Sequence, residues 1–260
     1  MLSKNKIKFI NTLKKKKHRN EKGLFIAEGT KVVTDLLDQG MEAELLCATS
    51  AWFATYPVFH RANITEHIEI TEKELQKISI LTTPQEVLAV FRIPTNPIGE
   101  EDLTHQLSLV LDSINDPGNL GTIIRIADWF GILNVICSSN TVDVYNPKTV
   151  QSTMGSIGRV SVTYRDLDGL LEKAAAWPGF NIYGSFLEGE NLYQTSLDQR
   201  GMIVMGSESH GISQRLLPYI NRRLFIPSFP ASANTGAESL NVSVATGIVC
   251  SEFRRRDHSK

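Results

Sequence analysis

Two polar side chains stand out in the segment from Asn115 to Gly131, which reads NDPGNLGTIIRIADWFG. Asn119 lies in a glycine-rich loop, and Arg125 is the single basic residue of a helix that the pattern predicts to begin at Gly121. The apolar run from Leu107 to Leu111 precedes this loop and predicts a buried strand. A strand, a glycine-rich loop and a helix N-terminus together are a common platform for anionic or nucleotide-like ligands.

The same segment allows a purely structural interpretation. Its Asp-Pro-Gly sequence could form an ordinary turn, Asn119 could cap the helix, and Arg125 could pair with Asp128. An exposed pair of that kind contributes only about 0.3–0.5 kcal/mol. Apolar residues at i, i+4 and i+7 fill the buried face of the predicted helix, so Arg125 points elsewhere. This segment alone leaves structure and function equally open.

A second candidate segment, Gly206 to Ser213, follows another apolar strand and carries Glu208 in a turn of small residues. Its glycine spacing matches that of a phosphate-binding loop, but Ile212 replaces the lysine that would reach the terminal phosphates. This difference argues against a nucleoside triphosphatase. The serines of the segment lack the flanking glycines of a nucleophilic serine at a strand-to-helix turn. Glu208 could equally be an ordinary turn residue.

The third candidate segment runs from Leu224 to Val249. A strand ends at Pro227, and a long loop of small residues leads to Ser239, Leu240 and Asn241, where a closing helix is predicted. Ser239 and Asn241 could be routine caps of that helix. The loop is long for a compact domain and has no periodicity, which favours a ligand-binding loop over a simple connection.

Strand and helix patterns alternate along the chain and predict an α/β fold in two domains. Residues 1–93 are predicted to form a small α/β domain that begins with a helix over about 6–17. Residues 94–104, which contain two prolines and an acidic cluster, are predicted to be a linker. Residues 105–260 are predicted to form a larger domain, in which buried strands between helices indicate a mostly parallel sheet.

Charge is distributed unevenly along the 260 residues. The formal net charge is −1, so the chain as a whole is not a polybasic nucleic-acid binder. The first thirty or so residues nevertheless hold a basic cluster that includes the run Lys14 to Lys17 and Arg19. This cluster favours a polyanionic partner on one face; a solvated, frayed terminus is the alternative.

Three further patterns limit the chemistry. Cys47, Cys137 and Cys250 lie in apolar contexts without a Cys-x-x-Cys pair, which predicts buried, reduced thiols in a cytoplasmic protein. The six histidines form no metal-binding spacing, so we expect no metal. No apolar run is long enough to span a membrane, and the glycine pattern of dinucleotide-binding folds is absent.

The three segments, taken together and in this order, resemble the three signature motifs of the SpoU-type RNA ribose 2′-O-methyltransferases of the SPOUT superfamily. The matching sequences are NDPGNLGTIIRIADWFG from Asn115, MGSESHGIS from Met205, IP at Ile226 and ESLNVSVA from Glu238. The resemblance covers roughly residues 105–255. Upstream, residues 6–37 with GLFIAEG from Gly23 resemble the L30-like substrate-binding domain that many members carry.

The resemblance implies a trefoil knot in the C-terminal α/β domain, a rare exception to the rule against threaded chains. It also implies a homodimer with the active site near the subunit interface, and S-adenosyl-L-methionine as the cofactor. Carried over by position, Gly206, Ile226 and Leu240 would line the adenosine of the cofactor. The polar catalytic residues would be Asn119, Arg125, Glu208, Ser239 and Asn241.

The activity implied by the resemblance is methyl transfer to a ribose 2′-hydroxyl, with ribosomal RNA as the expected substrate. A tRNA 2′-O-methyltransferase and a non-catalytic RNA-binding or ribosome-assembly protein on the same fold are the alternatives. The chain departs from the family pattern in two places. The segment Ser228 to Gly236 is longer than in many relatives, and Gln151 stands where many members have arginine.

Overall fold

The computed structural model of the chain describes residues 2–57, 63–95, 98–229 and 238–255. In chain order its helices are α1 (Lys4–Thr12), α2 (Lys16–Lys22), α3 (Thr30–Asp38), α4 (Ser50–Thr55), α5 (Glu72–Ile78), α6 (Glu100–His105), α7 (Pro117–Trp129), α8 (Pro147–Thr153), α9 (Leu167–Ala175) and α10 (Val242–Arg255). Its strands are β1 (Leu24–Glu28), β2 (Ala43–Ala48), β3 (His67–Glu69), β4 (Val87–Arg92), β5 (Leu107–Leu111), β6 (Asn134–Cys137), β7 (Ser161–Tyr164), β8 (Ile182–Phe186), β9 (Glu190–Asn191), β10 (Gly201–Met205) and β11 (Arg222–Phe225). Short 3-10 helices span Ser156–Gly158 and Gln214–Tyr219.

The chain forms two compact units. The first comprises Met1–Thr95 together with Asp143–Arg159, and the second comprises Asn96–Val142 together with Val160–Lys260. Helix α8 therefore belongs to the first unit, although it follows β6 in sequence. The division predicted from the sequence treats residues 105–260 as one stretch and does not include this return of the chain.

The first unit is built on a four-stranded sheet in the order β1-β4-β2-β3. Strand β4 runs antiparallel to both of its neighbours, and β3 runs parallel to β2. Every residue of β1 is buried, because the unit covers both faces of this strand. One core packs Ile10 and Leu13 against Ile26 and Ile78, which joins the first helix region to the sheet and to α5.

A buried ion pair fixes the returning segment, residues 143–159, in the first unit. Arg19 is only 2% exposed, and its Nε donates a hydrogen bond to Asp143 Oδ2 at 3.1 Å. Its second terminal nitrogen donates to the same oxygen, while its first donates to the carbonyls of Leu13 and Lys14, each at 2.9 Å. Arg19 is therefore an internal residue, and its inclusion in the predicted basic surface was wrong.

Two glycines allow the returning segment to approach α3 closely. A Cβ at Gly155, whose φ is +97°, would lie 2.1 Å from Asp35 Oδ2. A Cβ at Gly158 would lie at the same distance from Gln39 Oε1. A larger residue at either position would have to displace the side chain of Asp35 or of Gln39, and at Gly155 it would also adopt a strained φ, which is consistent with the glycines of the sequence MGSIG.

The second unit is built on a seven-stranded sheet in the order β7-β6-β5-β10-β8-β11-β9. Every pairing in this sheet is parallel, which confirms the predicted mostly parallel α/β architecture. The central strands β5 and β10 are buried along their whole length, as expected for strands covered on both faces. Parallel strands place the loops that follow β5, β10 and β11 at the same carboxyl edge of the sheet.

Three details of the helices differ from the sequence prediction. Helix α7 begins at Pro117 rather than at Gly121, because Asp116 Oδ1 accepts the amide of Asn119 at 2.8 Å and proline is favourable in the first turn. The predicted helix over 6–17 is two helices, separated around the fully buried Leu13. Helix α6 occupies part of the segment 94–104 that was predicted to be a linker.

Two further expectations concern membrane spans and the knot. Among the described helices, none is long and apolar enough to cross a membrane. The trefoil knot stays a prediction, since residues 230–237, which precede α10, lie outside the described residues.

Replacing Arg19 by Met is expected to lower the free energy of unfolding by about 3–5 kcal/mol, because the carboxylate of Asp143 would stay buried without its partner. Denaturation in guanidinium chloride, followed by circular dichroism, measures this loss. The double variant Arg19→Met/Asp143→Leu removes both charges and should recover most of the stability. A loss below about 1 kcal/mol in the single variant, the range of an exposed pair, would contradict the role given to the buried pair.

Candidate functional site

Three polar side chains from distant segments meet at the carboxyl edge of the second unit's sheet. Glu208 Oε1 accepts hydrogen bonds from Asn119 Nδ2 at 3.2 Å, from Asn241 Nδ2, and from the backbone amide of Val242 at 3.1 Å. Asn241 Nδ2 also donates to Asn119 Oδ1 at 3.0 Å. We call Asn119, Glu208 and Asn241 the polar cluster. It joins three of the five catalytic residues predicted from the sequence.

The loop after β10 holds Glu208 in place by closing on itself. Ser207 N donates to Gly211 O at 3.1 Å, and Gly211 N donates back to Ser207 O at 2.8 Å. A Cβ at Gly206 would lie 2.1 Å from the carbonyl carbon of Gly211, so only glycine fits there. Gly206, predicted as a cofactor residue, is thus required by the closure of the loop that presents Glu208.

Asp112, which the sequence analysis did not select, ties this loop to the end of β5. The residue is fully buried, and its Oδ2 accepts the amide of Ser213 at 2.8 Å. Its own amide donates to the carbonyl of Met205 at 2.9 Å. Its position in the sequence could have identified it, because a carboxylate directly after a buried apolar strand needs a hydrogen-bonding partner.

Backbone strain also marks the end of β5. Ser113 has a φ of +61°, a left-handed conformation that non-glycine residues rarely adopt. Its amide donates to Ser138 Oγ at 2.9 Å, and its hydroxyl donates to Asp112 Oδ1 at 3.1 Å. Such strained residues persist where the surroundings fix them, and they are frequent beside functional sites.

Asn241 serves two purposes at once. Its Oδ1 accepts the amides of Ser243 at 3.0 Å and Val244 at 3.4 Å, so it caps α10. Its Nδ2 donates to both other members of the polar cluster. The Glu208 carboxylate therefore lies at the N-terminus of α10, where the helix dipole favours negative charge. The cap interpretation of Asn241 is confirmed, and its catalytic role stays a prediction.

Arg125 is not part of the polar cluster. Its side chain is exposed on α7, on the same face as Thr122 and Trp129, and Trp129 is 84% exposed. Arg125 makes no hydrogen bond or ion pair with another residue in the described part of the chain. Its guanidinium is consequently available to an anionic ligand, with five donors and a permanent positive charge.

The remaining predicted site residues lie beside the undescribed part of the third segment. Ser239 is exposed and forms no hydrogen bond with any residue of the described ranges. Leu240 is 45% exposed, and Ile226 is partly buried just after β11. From residue 230 onward, the longer segment Ser228 to Gly236 lies outside the described residues.

Gln151 lies in the first unit, on α8, and not with the polar cluster. Its Oε1 is buried without a hydrogen-bond partner among the described residues. The structure gives this side chain a packing environment, and the effect of having glutamine here in place of the family's arginine is not tested by it.

Thiol chemistry does not contribute to this site. Burial raises the pKa of the Cys47 and Cys250 thiols to about 12, and it raises that of Cys137 as well. All three are free and buried, so they stay protonated at neutral pH and are poor nucleophiles. Within the described ranges, no group of three or more His, Cys, Asp or Glu residues could hold a metal ion.

Two known families match separate parts of the chain. The SpoU rRNA Methylase family matches residues 106–251, and the MRM3-like substrate binding domain matches residues 4–89. The first match contains the whole polar cluster and Arg125. The second match contains the lysine run Lys14 to Lys17.

Individual proteins match along nearly the full length. The chain is 30% identical over 251 residues to the 23S rRNA (guanosine(2553)-2′-O)-methyltransferase RlmP of Bacillus subtilis, a match that covers 96% of each chain. A TrmH-family protein of Porphyromonas gingivalis has 38% identity and a TM-score of 0.84, covering 98% of this chain and 99% of that one. An AdoMet-bound rRNA methyltransferase from Sinorhizobium meliloti has 29% identity and a TM-score of 0.82, and the match covers 98% of this chain and 96% of that one.

The acceptor role of Glu208 can be tested at the Val242 amide. The variant Glu208→Ala removes the oxygen to which this amide donates, and we expect its hydrogen exchange to become about ten-fold faster. Glu208→Gln retains a carbonyl oxygen and should keep most of the protection, so it is the matched control. Hydrogen–deuterium exchange read by mass spectrometry measures both variants. Equal protection in all three proteins would show that Glu208 does not hold the start of α10.

Proposed function

The chain belongs to the SpoU rRNA methylase family, and from that premise we propose that it transfers a methyl group from S-adenosyl-L-methionine to a ribose 2′-hydroxyl of ribosomal RNA. The observation that carries the proposal is the polar cluster at the carboxyl edge, with the exposed Arg125 on the neighbouring helix α7. Ribosomal RNA is preferred over transfer RNA because two relatives that match along nearly their full length, the Bacillus subtilis and Sinorhizobium meliloti proteins, are named as rRNA methyltransferases.

The residues at the carboxyl edge fit S-adenosyl-L-methionine. Gly206 presents only backbone, and the partly exposed side chains of Ile226 and Leu240 offer apolar surface that a purine ring would cover. We assign the adenosine contacts to these three residues. When bound, the cofactor supplies an electrophilic methyl group on a sulfonium.

Arg125 is assigned the role of binding the phosphate of the target nucleotide. A guanidinium can donate two parallel hydrogen bonds to phosphate oxygens, and its charge lowers the cost of an oxyanion forming beside it. It stays protonated at neutral pH, so it stabilises charge and does not accept the proton. The 2′-hydroxyl proton then leaves to the RNA phosphate or to water.

The polar cluster orients the reacting groups. Glu208 accepts three hydrogen bonds and thereby holds Asn119 and Asn241 against one another. We propose that these two amides position the ribose and that Ser239, two residues before Asn241, adds a hydroxyl contact. Fixed positioning of this kind lowers the activation barrier, because the reacting groups lose less entropy on reaching the reactive geometry than they would in a free encounter.

A non-catalytic RNA-binding protein on the same fold is the second candidate. Such a protein has no need for an exposed arginine beside a carboxylate–amide cluster. Titration with S-adenosyl-L-methionine separates the two, because only the methyltransferase needs the cofactor.

We propose that the active form is a homodimer, through α7 and α10. These helices pack on one another, and Arg254 Nε donates to the carbonyl of Phe130 at 2.7 Å. On the same pair of helices Trp129 is 84% exposed and Val244 is 51% exposed. Large exposed apolar side chains on packed helices are typical of protein interfaces, and a second copy of the chain would cover both.

We place the protein in the cytoplasm. The three buried, unpaired cysteines are typical of a reducing compartment, and ribosomal RNA is found there in bacteria.

Replacing Arg125 by Ala is expected to lower the rate of methyl transfer by about 100- to 1,000-fold, as for loss of one charge-stabilising donor. Arg125→Lys should retain part of the rate, and the exposed Arg200→Ala should retain all of it. The assay uses labelled S-adenosyl-L-methionine and ribosomal RNA from cells that lack the protein. Calorimetry should show unchanged cofactor binding in each variant. Full turnover by Arg125→Ala would refute the assigned role.

Trp129→Glu and Val244→Asp are each expected to convert the dimer into a monomer, because an unpaired charge would be buried at the interface. Sedimentation velocity measures the mass of the species in solution. Leu187→Asp is the matched control, since Leu187 is 75% exposed on the loop after β8. A wild-type protein that sediments as a monomer at assay concentration would refute the dimer.

A further inference from the structure

The first unit contains an open cleft of about 500 Å³ that is separate from the polar cluster. Its lining comes from three parts of the chain: Lys14, residues 79–82, and residues 146–148. We call it the lysine cleft. The third part belongs to the returning segment, so the cleft combines residues from both regions that match known families.

Positive charge surrounds the lysine cleft. The run Lys14 to Lys17, which ends in the first turn of α2, is exposed, and Lys148 is exposed on α8. Lys14 Nζ donates to the carbonyl of Ser79 at 2.9 Å, which orients the ammonium without neutralising it. Lys17 Nζ lies 3.8 Å from Glu21 Oε1. This ion pair is long and exposed, so it is weak, and added salt weakens it further.

The carboxylates near the cleft are withdrawn from its surface. Glu28 is fully buried, and it accepts hydrogen bonds from Ser79 Oγ and from the amides of Ile80 and Gln85, at 2.7 to 3.2 Å. It shapes the loop that lines the cleft without presenting an oxygen to solvent. Asp143, just before the third lining part, is paired with Arg19. Neither of these two carboxylates is presented to a ligand in the cleft.

Neutral polar groups complete the lining. The Thr82 side chain is exposed at the cleft, and Asn146 caps α8 through its side chain, which accepts the amide of Lys148 at 2.9 Å. Lysines joined by hydroxyl and amide groups suit phosphate oxygens, which are the usual contacts that position a protein on a nucleic acid. An open cleft also admits a continuous backbone, as an enclosed pocket would not.

We propose that the lysine cleft binds a phosphate of the substrate RNA backbone, with Lys14 and Lys148 as its paired cations. The proposal rests on the proposed function, since it requires an RNA substrate. It has a structural consequence: the RNA-binding surface is not confined to the N-terminal domain. A cation on α8, from the returning segment, contributes to it.

The test uses the full-length protein and fluorescein-labelled polyuridylic acid, whose uniform sequence removes any contribution from base-specific recognition. The double variant Lys14→Glu/Lys148→Glu is expected to bind this RNA at least about ten-fold more weakly in 0.1 M salt, and to reduce the slope of log affinity against log salt by about 1.4. The arginine counterpart Lys14→Arg/Lys148→Arg should retain the slope. Lys73→Glu, on α5 of the same unit and outside the cleft, is the control for general charge.

Each outcome separates the cleft from the proposed function. An unchanged salt slope in the glutamate double variant, or an equal loss in Lys73→Glu, would overturn the cleft proposal. Thermal melting followed by circular dichroism must show that each variant is folded. S-adenosyl-L-methionine binding is measured on the same samples, because failure of the wild type to bind it would refute the methyltransferase assignment and leave the RNA result to stand alone.

Discussion

One carboxylate oxygen organises the candidate site. Glu208 Oε1 accepts from Asn119 Nδ2, from Asn241 Nδ2 and from the amide of Val242. These donors come from the first turn of α7 and from the start of α10, so a single acceptor sets the positions of both relative to the loop after β10. The carboxylate can do this because its own loop is closed by Gly206 and Gly211 and anchored through Asp112. Its charge also lies at the start of a helix, where it is favoured.

The parallel sheet makes this convergence possible. Strands β5 and β10 are neighbours with Leu111 opposite Met205, so the loops that follow them leave the sheet side by side. Arg125 remains outside the cluster, on the exposed face of α7. In the function proposed above, this arrangement separates two tasks: the cluster would supply fixed dipoles, and the exposed arginine would supply a positive charge for an anion. Preorganised dipoles need no rearrangement during the reaction, whereas a long flexible arginine can follow a phosphate as the RNA docks.

The sequence predicted what depends on local pattern. Strand β5 has the predicted bounds, Leu107 to Leu111, because a continuous apolar run of that length fits a buried strand. The start of α7 was missed, since Asp116 and Pro117 form a cap and first turn that look like an ordinary turn in sequence. The contact between Asn119 and Glu208 joins residues 89 positions apart, and strand order rather than periodicity decides it. Only the combined motifs indicated that these residues share a site. Arg19 was misjudged because its buried partner, Asp143, lies 124 residues away.

The returning segment also affects how the protein can be made and how it can evolve. The first unit needs residues 143–159 for its completion, so the ribosome must synthesise β5, α7 and β6 before that unit can finish folding. Synthesis from the N-terminus usually allows an N-terminal domain to fold first. Here the first unit cannot complete its fold until residue 159 has been synthesised. Exchange of the first 95 residues between related genes would lose this stabilising pair unless Arg19 and Asp143 were inherited together. A buried ion pair thus makes the evolution of one sequence region depend on that of another 124 positions away.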